Sequence, residues 1–196
     1  MQVLAPAKIN LSLRVLGRRS DGFHEIETFM APISLCDEIE IYRQSGKKKI
    51  VFRCDEPSLP ENDDNVVVRA ANIFFEETKI TGGVSIMLKK TIPHGAGLGG
   101  GSSDAASTLL GLNELFGTNL PPEALAKMAE MIGSDVPFFV FECAALCKGR
   151  GELISPTRLR EQLSLLLLKP EFGVPTQWAY SRWRDSRKIP GVAYAS

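Results

Sequence analysis

The chain has 196 residues, 23 of them Lys or Arg and 23 Asp or Glu, so its formal net charge is zero with both histidines neutral; 44% of its residues are apolar. That balance argues against a polyanion partner such as nucleic acid and places the chain among ordinary globular proteins of one domain or slightly more. Its longest apolar runs, at 137–141 and 165–168, fall far short of the roughly 20 residues a membrane helix needs, and Lys8, Asn10 and Arg14 interrupt any secretory segment. A cytoplasmic location with no membrane partner is the expectation. Cys36, Cys54, Cys143 and Cys147 form no C-x-x-C pair, and His24 and His94 lie far apart, so reduced, mostly buried thiols are expected and no metal cluster is indicated.

From Ala7 to Val15 apolar residues fall on odd positions and Lys8, Asn10, Ser12 and Arg14 on even ones, the period-2 pattern of a half-buried strand with Lys8 and Asn10 on one face. Residues 17–22 read as a turn, followed by short strands at 24–30, 38–42 and 49–53. The pattern then changes period: Val66, Val67, Ala70, Ile73 and Phe74 make a helical stripe with Asn65 placed to cap it. Val84, Ile86 and Leu88 alternate as a strand that runs into the glycine-rich stretch 94–103, and a helix is expected over 104–116 with Gly117 just past its end. A third helix starts at Pro121-Pro122, turns Leu125, Met128, Ala129 and Ile132 inward, and stops at Gly133. Strands are expected at 138–147, 152–155 and 163–169, and a last helix at 175–184.

Glycines at 95, 97, 99, 100 and 101 strip side chains from a turn that opens a helix, so backbone N–H groups can approach an anion closely. The helix start leaves amide donors unpaired, the macrodipole adds positive potential, and Ser102 and Ser103 offer hydroxyls. A phosphate cradle is the natural reading. The formal G-x-G-x-x-G over 95–100 is a poor dinucleotide fingerprint, because it lies mid-chain and no acidic residue follows at the required distance. A P-loop would need a lysine where Gly101 stands, and the H-R-D and D-F-G elements of protein kinases are missing.

Pro93-His-Gly-Ala-Gly-Leu-Gly-Gly-Gly-Ser-Ser-Asp-Ala-Ala106 resembles the central phosphate loop of the galactokinase, homoserine kinase, mevalonate kinase and phosphomevalonate kinase family. Three further segments, Ala5-Pro-Ala-Lys-Ile-Asn-Leu11, Arg18-Arg-Ser-Asp-Gly-Phe-His-Glu25 and Ile132-Gly-Ser-Asp-Val-Pro-Phe138, occur in the family's order and are similar to its branch in non-mevalonate isoprenoid synthesis. That resemblance, covering about residues 5 to 180, implies an α+β fold. Residues 1–160 would form a two-layer domain of mixed sheet and helices, ribosomal protein S5 domain 2-like, and residues 161–196 the beginning of a ferredoxin-like C-terminal domain, incomplete here because the family's third glycine-rich motif is missing.

The resemblance also implies the chemistry: ATP, with Mg²⁺, phosphorylates a hydroxyl of a small cytidine diphosphate-linked polyol. Lys8 and Asp135 would be the catalytic pair. Asn65, Lys90, Pro93, Gly95, Gly97, Leu98, Gly99, Gly100, Gly101, Ser102 and Ser103 would bind the nucleotide. Asn10, Phe23, His24, Asp135, Thr176 and Tyr180 would bind the acceptor, His24 reading the base edge and Phe23 and Tyr180 stacking on it. Two alternatives stay open on sequence: a sister kinase for another small alcohol, and a nucleotide-binding protein without turnover.

Overall fold

Strand β1 (Gln2–Arg18) runs antiparallel to the long β2 (His24–Gln44), joined by a tight turn at residues 19–23. The computed structural model describes residues 1–45 and 49–183. Along its other edge β2 pairs with two partners in succession. Glu38–Gln44 bind β4 (Gly83–Lys89), and Ile26–Met30 bind β5 (Ala145–Gly149), both antiparallel. β3 (Ile50–Cys54) lies parallel to β4, and β6 (Leu153–Pro156) closes the far side against β5. The sheet is therefore mixed, and what reads in sequence as two strands at 24–30 and 38–42 is one 21-residue strand.

One face of this sheet is covered by helices. Ile39, Ile41, Val84, Ile86 and Leu88 are buried, while Tyr42 and Met87, at alternate positions, are half exposed on the other face. Against the covered face lie α1 (Val66–Thr78) and α2 (Gly100–Phe116), with α3 (Pro122–Glu130) and α4 (Val136–Val140) packed beside them. α1 begins as expected, Asn65 Oδ1 accepting from the Val67 amide at 2.9 Å. α2 is seated closely because of Gly111: a Cβ there would come within 2.6 Å of Ile41 Cδ1 and 3.0 Å of Val3 Cγ2. With Ala105, Ala106, Leu109 and Leu112 also fully buried, α2 is the core helix, and its N-terminus lies beside Lys8 of β1 and Lys90 just after β4.

Several expectations are corrected. α2 starts at Gly100, four residues before the expected position, so part of the glycine stretch is helix. Residues 138–140 are helical, not strand: Pro137 sits in the first turn of α4, where its missing N–H costs nothing, and Phe138 and Phe139 both face the core. The expected strand at 163–169 does not form. Its leucines lie in unpaired chain, Leu166 84% and Leu168 85% exposed, with no strand beside it among the described residues. Of the four free cysteines only Cys147 is buried. The short α5 (Thr176–Ser181) ends the described chain, and among the described residues no helix is long and apolar enough to cross a membrane.

Candidate active site

The turn after β1, the start of α2 and the head of α4 surround a cleft of about 1550 Å³. Its floor is the glycine loop. Gly95, Gly97 and Gly99 take φ values of +68°, +73° and +72°, the left-handed region that favours glycine, and Gly99 is the N-cap of α2 with no side chain to bond the first amides. The Ser103 amide reaches back to the Gly99 carbonyl at 2.9 Å, so the amides of Gly100, Gly101 and Ser102 precede any intrahelical acceptor and remain available to an anion. A Cβ on Gly99 would stand 2.8 Å from Phe139 Cζ and 3.1 Å from Lys8 Cγ, whereas Gly95 and Gly97 have open space above them.

Lys8 joins β1 to this loop. Its amide donates to the Leu98 carbonyl at 2.9 Å, and its ammonium donates to Asn10 Oδ1 at 2.7 Å; Asn10 in turn donates to Thr28 Oγ1 at 2.6 Å. Burial pulls the Lys8 ammonium below the ordinary lysine range, while the negative charge of Asp135, immediately before α4, pushes the other way. Burial and the same carboxylate push the Cys147 thiol, on β5, up to about 12, so it stands beside the pair as an inert neutral group. Lys8 and Asp135 thus share one wall of the cleft within reach of each other's charge.

The opposite end is aromatic. His24 stacks on Tyr180 with ring centroids 5.2 Å apart, and the Arg150 guanidinium lies 4.8 Å over the ring of the half-exposed Phe23. The turn that carries Phe23 is braced by Arg19, which bonds Asp21 at 3.0 Å and Glu25 at 2.7 Å, while Asp21 Oδ1 accepts the Phe23 amide.

Of the residues singled out in the sequence, Lys8, Asn10, Phe23, His24, Lys90, Pro93, Gly95, Gly97, Leu98, Gly99, Gly100, Gly101, Ser102, Asp135 and Tyr180 all line this cleft. Three do not. Asn65 is buried and fully occupied by its cap and by a bond to the Pro60 carbonyl; the next residue, Val66, reaches the cleft instead. Ser103 is turned into the fold, its hydroxyl buried without a partner. The Thr176 side chain lies outside the described residues. Lys90 reaches the cleft from a buried position, its ammonium 2.5 Å from Asp37 and 2.6 Å from Asp104. Sequence patterns missed Leu13 and Val15 as cleft residues. A β-bulge between Asn10 and Ser12 reverses the strand's parity and brings both onto the face of Lys8. Arg150 was missed too, since a lone arginine in a β-turn carries no local signal.

Known proteins resemble this chain in sequence and in fold. Residues 65–143 match the family model "GHMP kinases N terminal domain". The chain is 42% identical over 192 residues to 4-diphosphocytidyl-2-C-methyl-D-erythritol kinase of Citrifermentans bemidjiense, covering 98% of this chain and 68% of the relative. To the enzyme of that name from a Synechococcus strain it is 46% identical over 188 residues, 94% of this chain and 61% of the relative. A crystal structure of 4-(cytidine 5'-diphospho)-2C-methyl-D-erythritol kinase superposes with a TM-score of 0.77 at 38% identity, covering 95% of this chain and 65% of that one. The chain spans about three fifths of the length of most curated relatives it matches. A homoserine kinase from Cytophaga hutchinsonii, at 18% identity and a TM-score of 0.58, shares the fold. Cleft, loop and relatives together assign this chain to the 4-diphosphocytidyl-2-C-methyl-D-erythritol kinase family of GHMP kinases.

Proposed function

We propose that this protein transfers the γ-phosphate of ATP to the 2-hydroxyl of 4-diphosphocytidyl-2-C-methyl-D-erythritol, a step of non-mevalonate isoprenoid synthesis. The observation that carries this reading is the bond from the Lys8 amide to the Leu98 carbonyl, which joins the phosphate cradle to the charged pair in one cleft. The loop amides and the α2 dipole hold the triphosphate, and Mg²⁺ bound with the nucleotide would neutralise part of its charge. Asp135 orients the acceptor hydroxyl and collects its proton late, which suits a loose transition state in which positioning outweighs basicity. Lys8 offsets charge on the moving phosphoryl group from a site where burial strengthens its field. Asn10 holds the Lys8 ammonium in place. His24 reads the cytosine edge, with Phe23 and Tyr180 supplying aromatic faces.

Residues 1–160 form the ribosomal protein S5 domain 2-like ATP-binding domain in this reading, and residues 161–196 begin a ferredoxin-like domain. The exposed leucines of 163–168 support the second assignment, because an apolar run of that length is ordinarily covered. The unpaired cysteines fit the reducing cytoplasm. The test is incubation with MgATP and the cytidine substrate, following ADP release and the phosphorylated product. ATP binding without substrate-dependent ADP release would refute the transfer, and faster turnover on mevalonate or homoserine would refute the acceptor.

A further inference from the structure

Lys90, just past the end of β4, is one cation between two buried carboxylates, Asp37 on β2 and Asp104 in the first turns of α2, so the cluster carries an excess negative charge. It lies directly beneath the cradle. A Cβ on Gly100 would stand 3.4 Å from the Lys90 ammonium and 3.0 Å from Ile92 Cγ2. Asp37 also gathers the chain entering the loop, its Oδ1 accepting the amides of Thr91 at 2.5 Å and Ile92 at 2.8 Å. Asp104 is less well served. One oxygen takes the Lys90 ammonium, while Oδ1 is buried with no donor at all, so Lys90 offsets only part of the carboxylate's desolvation cost. Asp37 and Asp104 are neighbours through this ammonium, which lies 2.5 Å from one carboxylate and 2.6 Å from the other.

We infer that Asp37 and Asp104 are positioning residues for the nucleotide: they hold the Lys90 ammonium at the cleft wall beside Gly100, and neutralisation of Asp104 turns that charge toward bound phosphates. This rests on the reading of the glycine loop as the ATP site. With Asp104 ionised, two carboxylates absorb the field of Lys90, and a triphosphate meets a net negative cluster. With a proton on Asp104, that proton bridges to Asp37, Lys90 keeps a single counter-charge, and its field reaches the cleft. The groups facing Asp104 are Lys90, Asp37 and, at the end of β3, Cys54; Asp55 accepts the Lys90 amide. Burial, aided by Asp37 and opposed by Lys90, has already pushed Asp104 up to about 7, so bound polyphosphate raises it further and draws a proton from solution.

Calorimetric titration of the full chain with MgATP, in buffers of different ionisation enthalpy, counts that proton. At about pH 8 the free nucleotide is ionised, since the second phosphate pKa is near 6. The wild type takes up a fraction of a proton there, and its Kd weakens about two- to tenfold between about pH 7.5 and 8.5. Asp104→Asn takes up none, and its Kd stays flat within about twofold. A wild type that binds MgATP with no proton uptake overturns the inference and leaves the ATP reading standing, whether or not the variant folds. Uptake that persists unchanged in Asp104→Asn overturns it as well. A wild type that does not bind MgATP at all removes the ATP reading, and the inference with it.

Discussion

Replacing Gly99 by alanine, with Gly97→Ala as its partner, separates two reasons for a glycine in this loop. Both residues have φ near +72°, so each substitution carries a left-handed penalty of about 1–2 kcal/mol. Only at Gly99 does the new Cβ collide, at 2.8 Å from Phe139 Cζ and 3.1 Å from Lys8 Cγ, against a preferred carbon separation of about 3.5–4.0 Å. Phe139 is 4% exposed and cannot swing aside without disturbing α4, so overpacking adds about 1–3 kcal/mol. Gly99→Ala is therefore expected to lose about 2–5 kcal/mol, a large share of the roughly 5–15 kcal/mol of a typical domain, and Gly97→Ala only the smaller conformational part. Urea unfolding of both variants, read as a change in midpoint at constant m, gives the difference. Equal losses would show that the contact of Gly99 with Phe139 and Lys8 carries no weight, and would refute this account of the loop.

Three further outcomes are expected. Lys8→Ala and Asp135→Asn each lower kcat about a hundredfold or more while MgATP still binds; near-normal turnover in single-turnover transfer assays would remove them from the chemistry. His24→Ala raises KM for the cytidine substrate several-fold and leaves KM for ATP nearly unchanged, and equal increases in both would count against base reading. Asn65→Ala costs about 1–2 kcal/mol by loss of the α1 cap, measured by thermal or urea unfolding, with ATP affinity within about twofold of wild type. A large loss of affinity at unchanged stability would return Asn65 to the nucleotide site.

The residues that announced themselves in sequence did so through local chemistry. The glycine turn, the Asn65 cap and the alternation of Val84, Ile86 and Leu88 are all properties of a few adjacent positions; the cap and the alternation are present as read, and the turn is shorter than read because α2 begins at Gly100. Parity along β1 was legible only to Asn10. The bulge beyond it depends on the register against β2, which no periodicity in β1 encodes, so Leu13 and Val15 moved from the expected core face to the cleft. Of the run 138–147 read as strand, residues 145–147 are in β5, while at 138–140 aromatic and β-branched residues suit buried strand or buried helix alike, and Pro137 in the first turn and the packing of Phe139 on Gly99 decide for helix. Asp37 carried no signal, and Asp104 stood in the loop motif with no role attached. A buried carboxylate in a strand and another in a helix acquire meaning only when a lysine from a third element lies between them.

Glycine in a phosphate loop is commonly explained by the ligand: bare backbone lets an anion approach. Here that explanation fits Gly95 and Gly97, whose missing side chains face open cleft, but not Gly99, whose missing side chain is replaced by Phe139 and Lys8. The distinction bears on how the charged pair is assembled. Lys8 on β1 and Asp135 before α4 are far apart in the chain and share no direct hydrogen bond to align them. What they share is the loop between them. β1 is fixed to it by the Lys8 amide on the Leu98 carbonyl, and α4 is fixed to it by Phe139 packed where a Gly99 side chain would be. The same residue that caps α2 is thus the point on which the strand carrying Lys8 and the helix following Asp135 close. In the proposed reaction one junction would then set both the phosphate and the acceptor side, and a side chain at Gly99, meeting Phe139 and Lys8, would disturb both together.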